Sequence, residues 1–583
     1  MKRILALALA IVMLVGLTAC GGAKKSAAPS ITYLYNTGDS HKAIGEYLQS
    51  ALATAGITMT LQNQEWNTFL NTRKNGDYFV ARNGWLADYN DPICFLDMWT
   101  SNSGNNDVQF GKGAHKDLKM YSIDLTKFGG AKVENGTWAE TYDVLISKIK
   151  STTDAAARYE MMHMAEDMLM ATGCIVPLYY YTDLYMIDDT VKGFYSNPLG
   201  YKYMMYTNVN GKTDNLNVCL ASEPDTLDPA LNSAVDGATM ITHLFSGLAK
   251  WAQVDGKLTI APDAAKELVK GVTNADGTVT YTYTLRDGLK WSNGDELKAS
   301  DFEKAWKRAA SESLGADYGY MFEVVKGYPN ELAVTSDDAA KTITVTLANA
   351  VSYWDELLAF PTYFPVHASA YNNDKWATAP ATYICNGPYV IEKWEHDSVI
   401  TLKKNDKYID KASITMEKIN CYLSDDANNM LANFKKGDWL LIDDVPTNEI
   451  ATLKTEYPTE FVIAGQIGTY YVCWNVNADL LPGSTLKGVE KEKAQQEIRN
   501  AIGLLYDRNY IVEKVAQGGQ LPASSFVAMG MTDADGNEFY KNANKAAGNS
   551  FVGYFDTSAS AYSANVEKAV EVLKKYYDIK VAE

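Results

Sequence analysis

The chain opens with one apolar run, Ile4 to Val15, and nothing after it approaches the roughly 18 consecutive apolar residues that a transmembrane helix requires. The run follows Met1-Lys2-Arg3 and is too short to be a comfortable permanent anchor, so residues 1–19 read as a secretory signal peptide. Small residues lead from it into a cysteine, Leu17-Thr18-Ala19-Cys20-Gly21. Residues 20–30 then read as a flexible leash, because Gly22 to Ser30 is small, polar and aperiodic. The rest is expected to be a water-facing body that is exported and tethered.

At 583 residues one hydrophobic core is not expected, and two or three lobes are. The formal net charge is -18, and loss of Lys2 and Arg3 with the signal takes it to -20. Such a surface repels phosphate backbones, which argues against nucleic acid as a partner and for solubility, most simply as a monomer. Apart from Cys20, the six cysteines Cys94, Cys174, Cys219, Cys385, Cys421 and Cys473 lie scattered with no CxxC spacing. Buried thiols are the default for them, although an exported location permits disulfides.

Short alternating strands and amphipathic helices are mixed along the whole chain, which predicts an α/β protein without solenoid repeats. Ile31 to Asn36 reads as a strand, and Ser40 to Ala55 as a helix capped by Asp39 or Ser40. A Met-rich helix over Ala155 to Met170, capped by Asp154, precedes the aromatic strand Ile175 to Tyr181. Asn208 to Asn215 is a short polar connector, after which Leu216 to Leu220 and Val279 to Leu285 read as strands. The last helix is expected over Asn565 to Tyr577.

Several blocks carry a resemblance. From Leu216 onward these are Glu223-Pro-Asp-Thr-Leu-Asp-Pro229, Leu244-Phe-Ser-Gly-Leu248, the long run Thr284-Leu-Arg-Asp-Gly-Leu-Lys-Trp-Ser-Asn-Gly294 with Ala299-Ser-Asp-Phe302, Asn386-Gly-Pro-Tyr389 and Ala501-Ile-Gly-Leu-Leu-Tyr-Asp-Arg508. They resemble, in order, the beginning and middle of the oligopeptide-binding, extracellular solute-binding lipoproteins of ABC importers. The front of the chain is similar to the C-terminal part of the same family, through Tyr35-Asn-Thr-Gly-Asp-Ser-His-Lys42, Asn63 to Arg73, Gly84-Trp-Leu-Ala-Asp-Tyr-Asn-Asp-Pro92 and Val176-Pro-Leu-Tyr-Tyr-Tyr181. Each block occurs once, so the resemblance implies a circularly permuted order, with the usual termini joined through Gly211 to Asp214. Permutation is physically tolerable where termini lie close together and the cut falls in an exposed loop. The run into Cys20 likewise resembles a bacterial lipobox, which implies acylation of Cys20 and anchoring to a membrane.

The implied fold is a two-lobed, periplasmic-binding-protein-like (type II) α/β fold with an additional third lobe. One ligand-binding lobe is expected to comprise residues 31–181 plus 422–583, the second 182–246 plus 367–419, and the additional lobe 247–366. The resemblance further implies a peptide held extended between closing lobes and passed to an importer permease. In it Asp88 matches the aspartate that holds the ligand's α-ammonium; a charge-assisted bond in a dry cleft suits that role. Gly84, Trp85 and Leu86, with Ser233, Ala234 and Val235 on the other lobe, match segments that pair with the ligand backbone. Arg73, Arg82 and His41 match positions that meet the ligand's carboxylate end, where cations suit an anionic terminus. Trp66, Trp85, Tyr318 and Tyr320 are candidates for lining side-chain pockets.

No HExxH, GxSxG or GxxxxGK[ST] motif occurs, and the six histidines lack metal-ligand spacing, so neither catalysis, a metal nor a cofactor is expected. The remaining alternatives are a different ligand (a glycan, a metal chelate or a signalling peptide), a secreted peptidase, or an adhesion lipoprotein.

Overall fold

The computed structural model describes residues 25–254, 257–533 and 535–580. The signal peptide and Cys20 lie outside them.

The first hundred residues build a parallel unit: β1 (Ile31–Asn36), α1 (Asp39–Thr54), β2 (Met59–Gln64), α2 (Trp66–Lys74) and β3 (Val80–Leu86). β1 lies between β2 and β3, both parallel to it. It is buried along nearly its whole length, as a continuous aliphatic and aromatic strand in a parallel sheet should be. α1 follows the expected span but not the expected cap. Gly38 occupies the N-cap with no side-chain bond, and Asp39 is turned outward, accepting from Nδ2 of Asn428 at 3.2 Å. Asp154 does cap its helix, Ala155–Ala171, accepting from the Ala157 amide at 2.8 Å.

Two long strands, Ile175–Ile187 and Phe461–Trp474, run antiparallel to each other through the middle of one 11-stranded mixed sheet. At one end Phe461–Trp474 also pairs with β3, which leads on to β1 and β2. At the other end, Ile175–Ile187 pairs with Leu441–Ile442, beyond which come Leu216–Ala221, Lys418–Leu423, Val399–Lys404 and Tyr389–Glu395. The register between the long strands shifts between Gly465 and Thr469, so Gln466, Ile467 and Gly468 lie opposite the single residue Tyr181 in a bulge. The front and back of the chain are thereby interleaved in one sheet.

Residues 427–453 depart from the expected lobe map. Met430, Leu431, Phe434, Ile450 and Leu453 pack in one apolar cluster with Met186 and Cys219, next to Leu216–Ala221. The expected map places these helices in the first lobe, but their apolar faces pack against Met186 and Cys219 of residues 182–246. Within 247–366 a separate four-stranded antiparallel sheet, containing Val279–Thr284 and Thr342–Leu347, packs with the helix Ala299–Ala310. That helix buries Phe302 and Trp306, and the indole of Trp306 donates to the Tyr363 carbonyl at 2.7 Å. Truncating such a buried tryptophan costs about 3–5 kcal/mol.

The six cysteines among the described residues are free and buried. Among those residues, no helix is long and apolar enough to cross a membrane.

Candidate functional site

A cavity of about 400 Å³ lies between the lobes, lined by twelve of the thirteen residues singled out above. Tyr320 is buried but does not line it.

β3 supplies one wall. Its partner β1 reaches only Val80 and Ala81, while Phe461–Trp474 covers the other edge as far as Leu86. The Ala87 amide donates to the Ile467 carbonyl at 2.8 Å, toward the long strand. By the alternation of a β-ladder, the Gly84 and Leu86 backbones then face the uncovered edge and the cavity. Gly84 leaves room for Tyr181: a Cβ there would meet the Tyr181 hydroxyl at 2.2 Å and push that side chain aside.

Asp88 follows β3 in a turn that is fixed from several sides. The indole of Trp85 donates to the Cys94 carbonyl at 2.9 Å, and Asp91 caps the Ile93 amide at 3.0 Å while taking a two-pronged bond from Arg158 at 2.6 and 2.9 Å. Asp88 itself is 9 % exposed. Its Oδ1 accepts from the Tyr318 hydroxyl at 2.8 Å, and its Oδ2 has no partner. Burial drives its carboxyl well above the usual carboxylate range, an effect that the Tyr318 bond opposes and nearby Asp97 reinforces. A buried carboxylate oxygen with no cation beside it is costly, and a ligand ammonium would relieve that cost.

The opposite end of the wall holds the basic residues, but not as three free cations. Arg73 Nε lies 2.7 Å from Asp107 Oδ2 and is thereby neutralised. His41 accepts at Nε2 from Arg82 Nη2 at 3.1 Å, while its Nδ1 lies 3.3 Å from the Tyr470 hydroxyl. Burial and the neighbouring guanidinium keep its pKa well below the ordinary value, so His41 is neutral and orients Arg82. Arg82 lies against the faces of Trp66, Phe69 and Tyr470 at 5.5–5.8 Å. It forms no ion pair with a carboxylate among the described residues, and its Nε and Arg73 Nη1 are buried donors without partners. Two orphaned donors call for an acceptor such as a carboxylate.

The other lobes close the cavity. Ser233 and Ala234 stand at the start of the helix Val235–Leu244, with Ala234 as N-cap. Lys74, on α2, donates to Ser233 Oγ at 3.0 Å and lies 2.5 Å from Asp317; Ser233 Oγ donates to Asp317 at 2.8 Å. Three lobes thus meet in one latch, and sequence reasoning missed Lys74 and Asp317 because their pairing exists only in the closed fold. Tyr89 stacks on Tyr353 at 4.3 Å, and the Asn90 amide donates to Glu356 at 2.8 Å, so the additional lobe is held against the Asp88 turn.

A mixed sheet crossed by two long strands, with a cavity between lobes, is a two-lobed, periplasmic-binding-protein-like fold. The bacterial extracellular solute-binding proteins, family 5, match over residues 16–107 and 259–576, more than half of the chain, and the chain belongs to that family. It is 36 % identical to the oligopeptide-binding protein OppA of Bacillus subtilis over 345 residues, 56 % of this chain and 59 % of that one. To the dipeptide-binding protein DppE of the same organism it is 32 % identical over 270 residues, 45 % and 47 % of the two chains. The chain spans about half the length of the curated relatives it matches. Its fold superimposes on the Escherichia coli murein tripeptide binding protein MppA with a TM-score of 0.51 at 23 % identity, over 62 % of this chain and 66 % of that one.

Proposed function

We propose that this protein captures short peptides outside the cytoplasm and delivers them to an ABC-type importer, anchored to the membrane through acylated Cys20. The observation that carries the reading is the polarity of the β3 wall, with the partnerless Asp88 carboxylate at one end, Arg82 at the other and an uncovered strand edge between them. Arg82 and Asp88 are six residues apart along the chain, so their backbones lie at most roughly 20 Å apart, a span suited to a short extended peptide of about four to six residues. The ligand adds as a strand: its ammonium replaces the missing partner of Asp88, its carboxylate meets Arg82, and its backbone pairs with Gly84 and Leu86. Backbone pairing accepts many sequences. Closure of the lobes over the ligand forms the surface that a permease reads.

The reading includes a permuted order, with the lobes assembled from the front and back of one chain. It is supported by alignments that cover only about 60 % of either chain, as is expected when two blocks are exchanged. Further support comes from Ser26, whose amide donates to the Tyr576 carbonyl at 3.1 Å and whose carbonyl accepts from the Asp578 amide at 3.0 Å.

Native mass spectrometry of the protein as purified tests the function. Retained peptides are the expected result; a retained glycan or chelate would replace the ligand class, and cleavage of added peptides would replace binding with catalysis.

A further inference from the structure

The cavity keeps an excess of negative charge after its internal ion pairs are set aside. Arg73 is matched by Asp107 at 2.7 Å, Lys74 by Asp317 at 2.5 Å, and Lys202 lies between Asp183 and Asp443 at 3.0 and 2.6 Å. At the β1–α1 end, Asp425 and Asp444 line the cavity from the second lobe. They face Glu65 and Asp39 of the first: burial raises both carboxyls, and the charge of Glu65 on Asp425 and of Asp39 on Asp444 raises them further. None of these four carboxylates has an ion-pair partner among the described residues. Closing the lobes therefore brings like charges together at one end of the ligand site, an arrangement that a cation between them would reverse.

A second observation comes from neutral groups at the same end. Asn36, the last residue of β1, is 9 % exposed, lines the cavity and leaves Oδ1 without a partner. Gln64, opposite it in the β1–β2 register and just outside the cavity lining, also leaves Oε1 unpartnered. Both are acceptors, beside the unpartnered donor Arg82 Nε that is left for the ligand carboxylate. A lysine ammonium brings three donors and an arginine guanidinium five, with no acceptor to clash. No group of three or more His, Cys, Asp or Glu among the described residues is placed to hold a metal ion, and the cavity has room for an organic cation.

We infer that the β1–α1 end of the cavity, walled by Asp425 and Asp444 with Asn36 beside them, is a pocket for a lysine or arginine side chain, so that this chain prefers basic peptides. The inference rests on the peptide reading above. Arg82 stands at the same end to take the α-carboxylate, so the basic residue lies near the ligand's C-terminus.

The test is a calorimetric titration of the whole protein with tetrapeptides that carry lysine, acetyl-lysine or norleucine at each position in turn. Acetyl-lysine keeps the stem and removes the charge. Near the C-terminal end, lysine is expected to bind about tenfold tighter than either neutral residue. The advantage is expected to disappear in Asp425→Asn/Asp444→Asn, with the neutral peptides bound as before. Equal binding of lysine and its neutral counterparts by the natural protein, at every position, overturns the inference alone and needs no variant to fold. Failure of all three series to bind overturns the peptide reading and this inference with it.

Discussion

Tyr318 places its hydroxyl 2.8 Å from Oδ1 of Asp88, so a side chain of the additional lobe closes over a carboxylate of the first lobe while Oδ2 stays without a partner. The additional lobe thereby roofs the cavity. Tyr318→Phe removes the one donor that Asp88 has in the empty cleft. Leaving a buried acceptor unsatisfied costs about 1–3 kcal/mol, which urea unfolding of the ligand-free protein should register. Peptide affinity should fall less than in Asp88→Asn, because the ligand ammonium supplies donors of its own. An equal loss of affinity in both variants would mean that Tyr318 itself holds the ligand.

A pH dependence of stability follows from Glu166, which is fully buried with Oε1 accepting from the Phe526 and Val527 amides at 3.0 and 2.8 Å. Burial raises its pKa to about 8, against which the two amides work in part. Between the ordinary glutamate range and pH 8 the folded state holds a proton that the unfolded state has released. Stability from this group is therefore greatest at low pH and is lost as pH rises toward 8. Glu166→Gln, which keeps the acceptor, should flatten the fall in Tm between pH 5 and pH 8. An unchanged slope would place the titrating group elsewhere.

Several site features were legible from local sequence and others were not. Asp88 could be found because Gly84 to Pro92 is one contiguous motif, and Asp154 because a helix cap acts within three residues. The cap assigned to Asp39 failed because its carboxylate turns to Asn428, 389 residues away. The charge states of Arg73 and His41 were hidden for the same reason: Asp107 neutralises the first and Arg82 holds the second neutral, and only the tertiary fold brings these pairs together. The long strands were read as one short strand and nothing, since their outer halves pair only with each other and Leu441–Ile442.

The permuted order has a direct test. Asn210 and Gly211 form an exposed turn, and a Cβ on Gly211 would meet nothing within 4 Å. A chain reopened at Gly211 and joined from Lys580 to Ser26 by a short flexible linker should fold with the same far-ultraviolet spectrum and bind the same peptides. Failure of this rearranged chain to fold would contradict the lobe assembly described above.

Anchoring is tested at Cys20. Stable attachment takes more than one acyl chain's worth of burial, so if Cys20 carries the lipid its loss should release the protein. Cys20→Ser is expected in the soluble extracytoplasmic fraction after export. A variant that stays with the membrane would place the anchor at another residue.

The central claim is that Asp88 pairs with the α-ammonium of a peptide. Calorimetric titration of a free and an N-acetylated tetrapeptide into the natural protein and Asp88→Asn measures it. Removing one partner of a buried charge pair should cost about 2–5 kcal/mol, mostly as faster dissociation. Both changes delete the same bond, so acetylation should add little to the loss in Asp88→Asn. Equal binding of free and acetylated peptide by the natural protein would contradict the account.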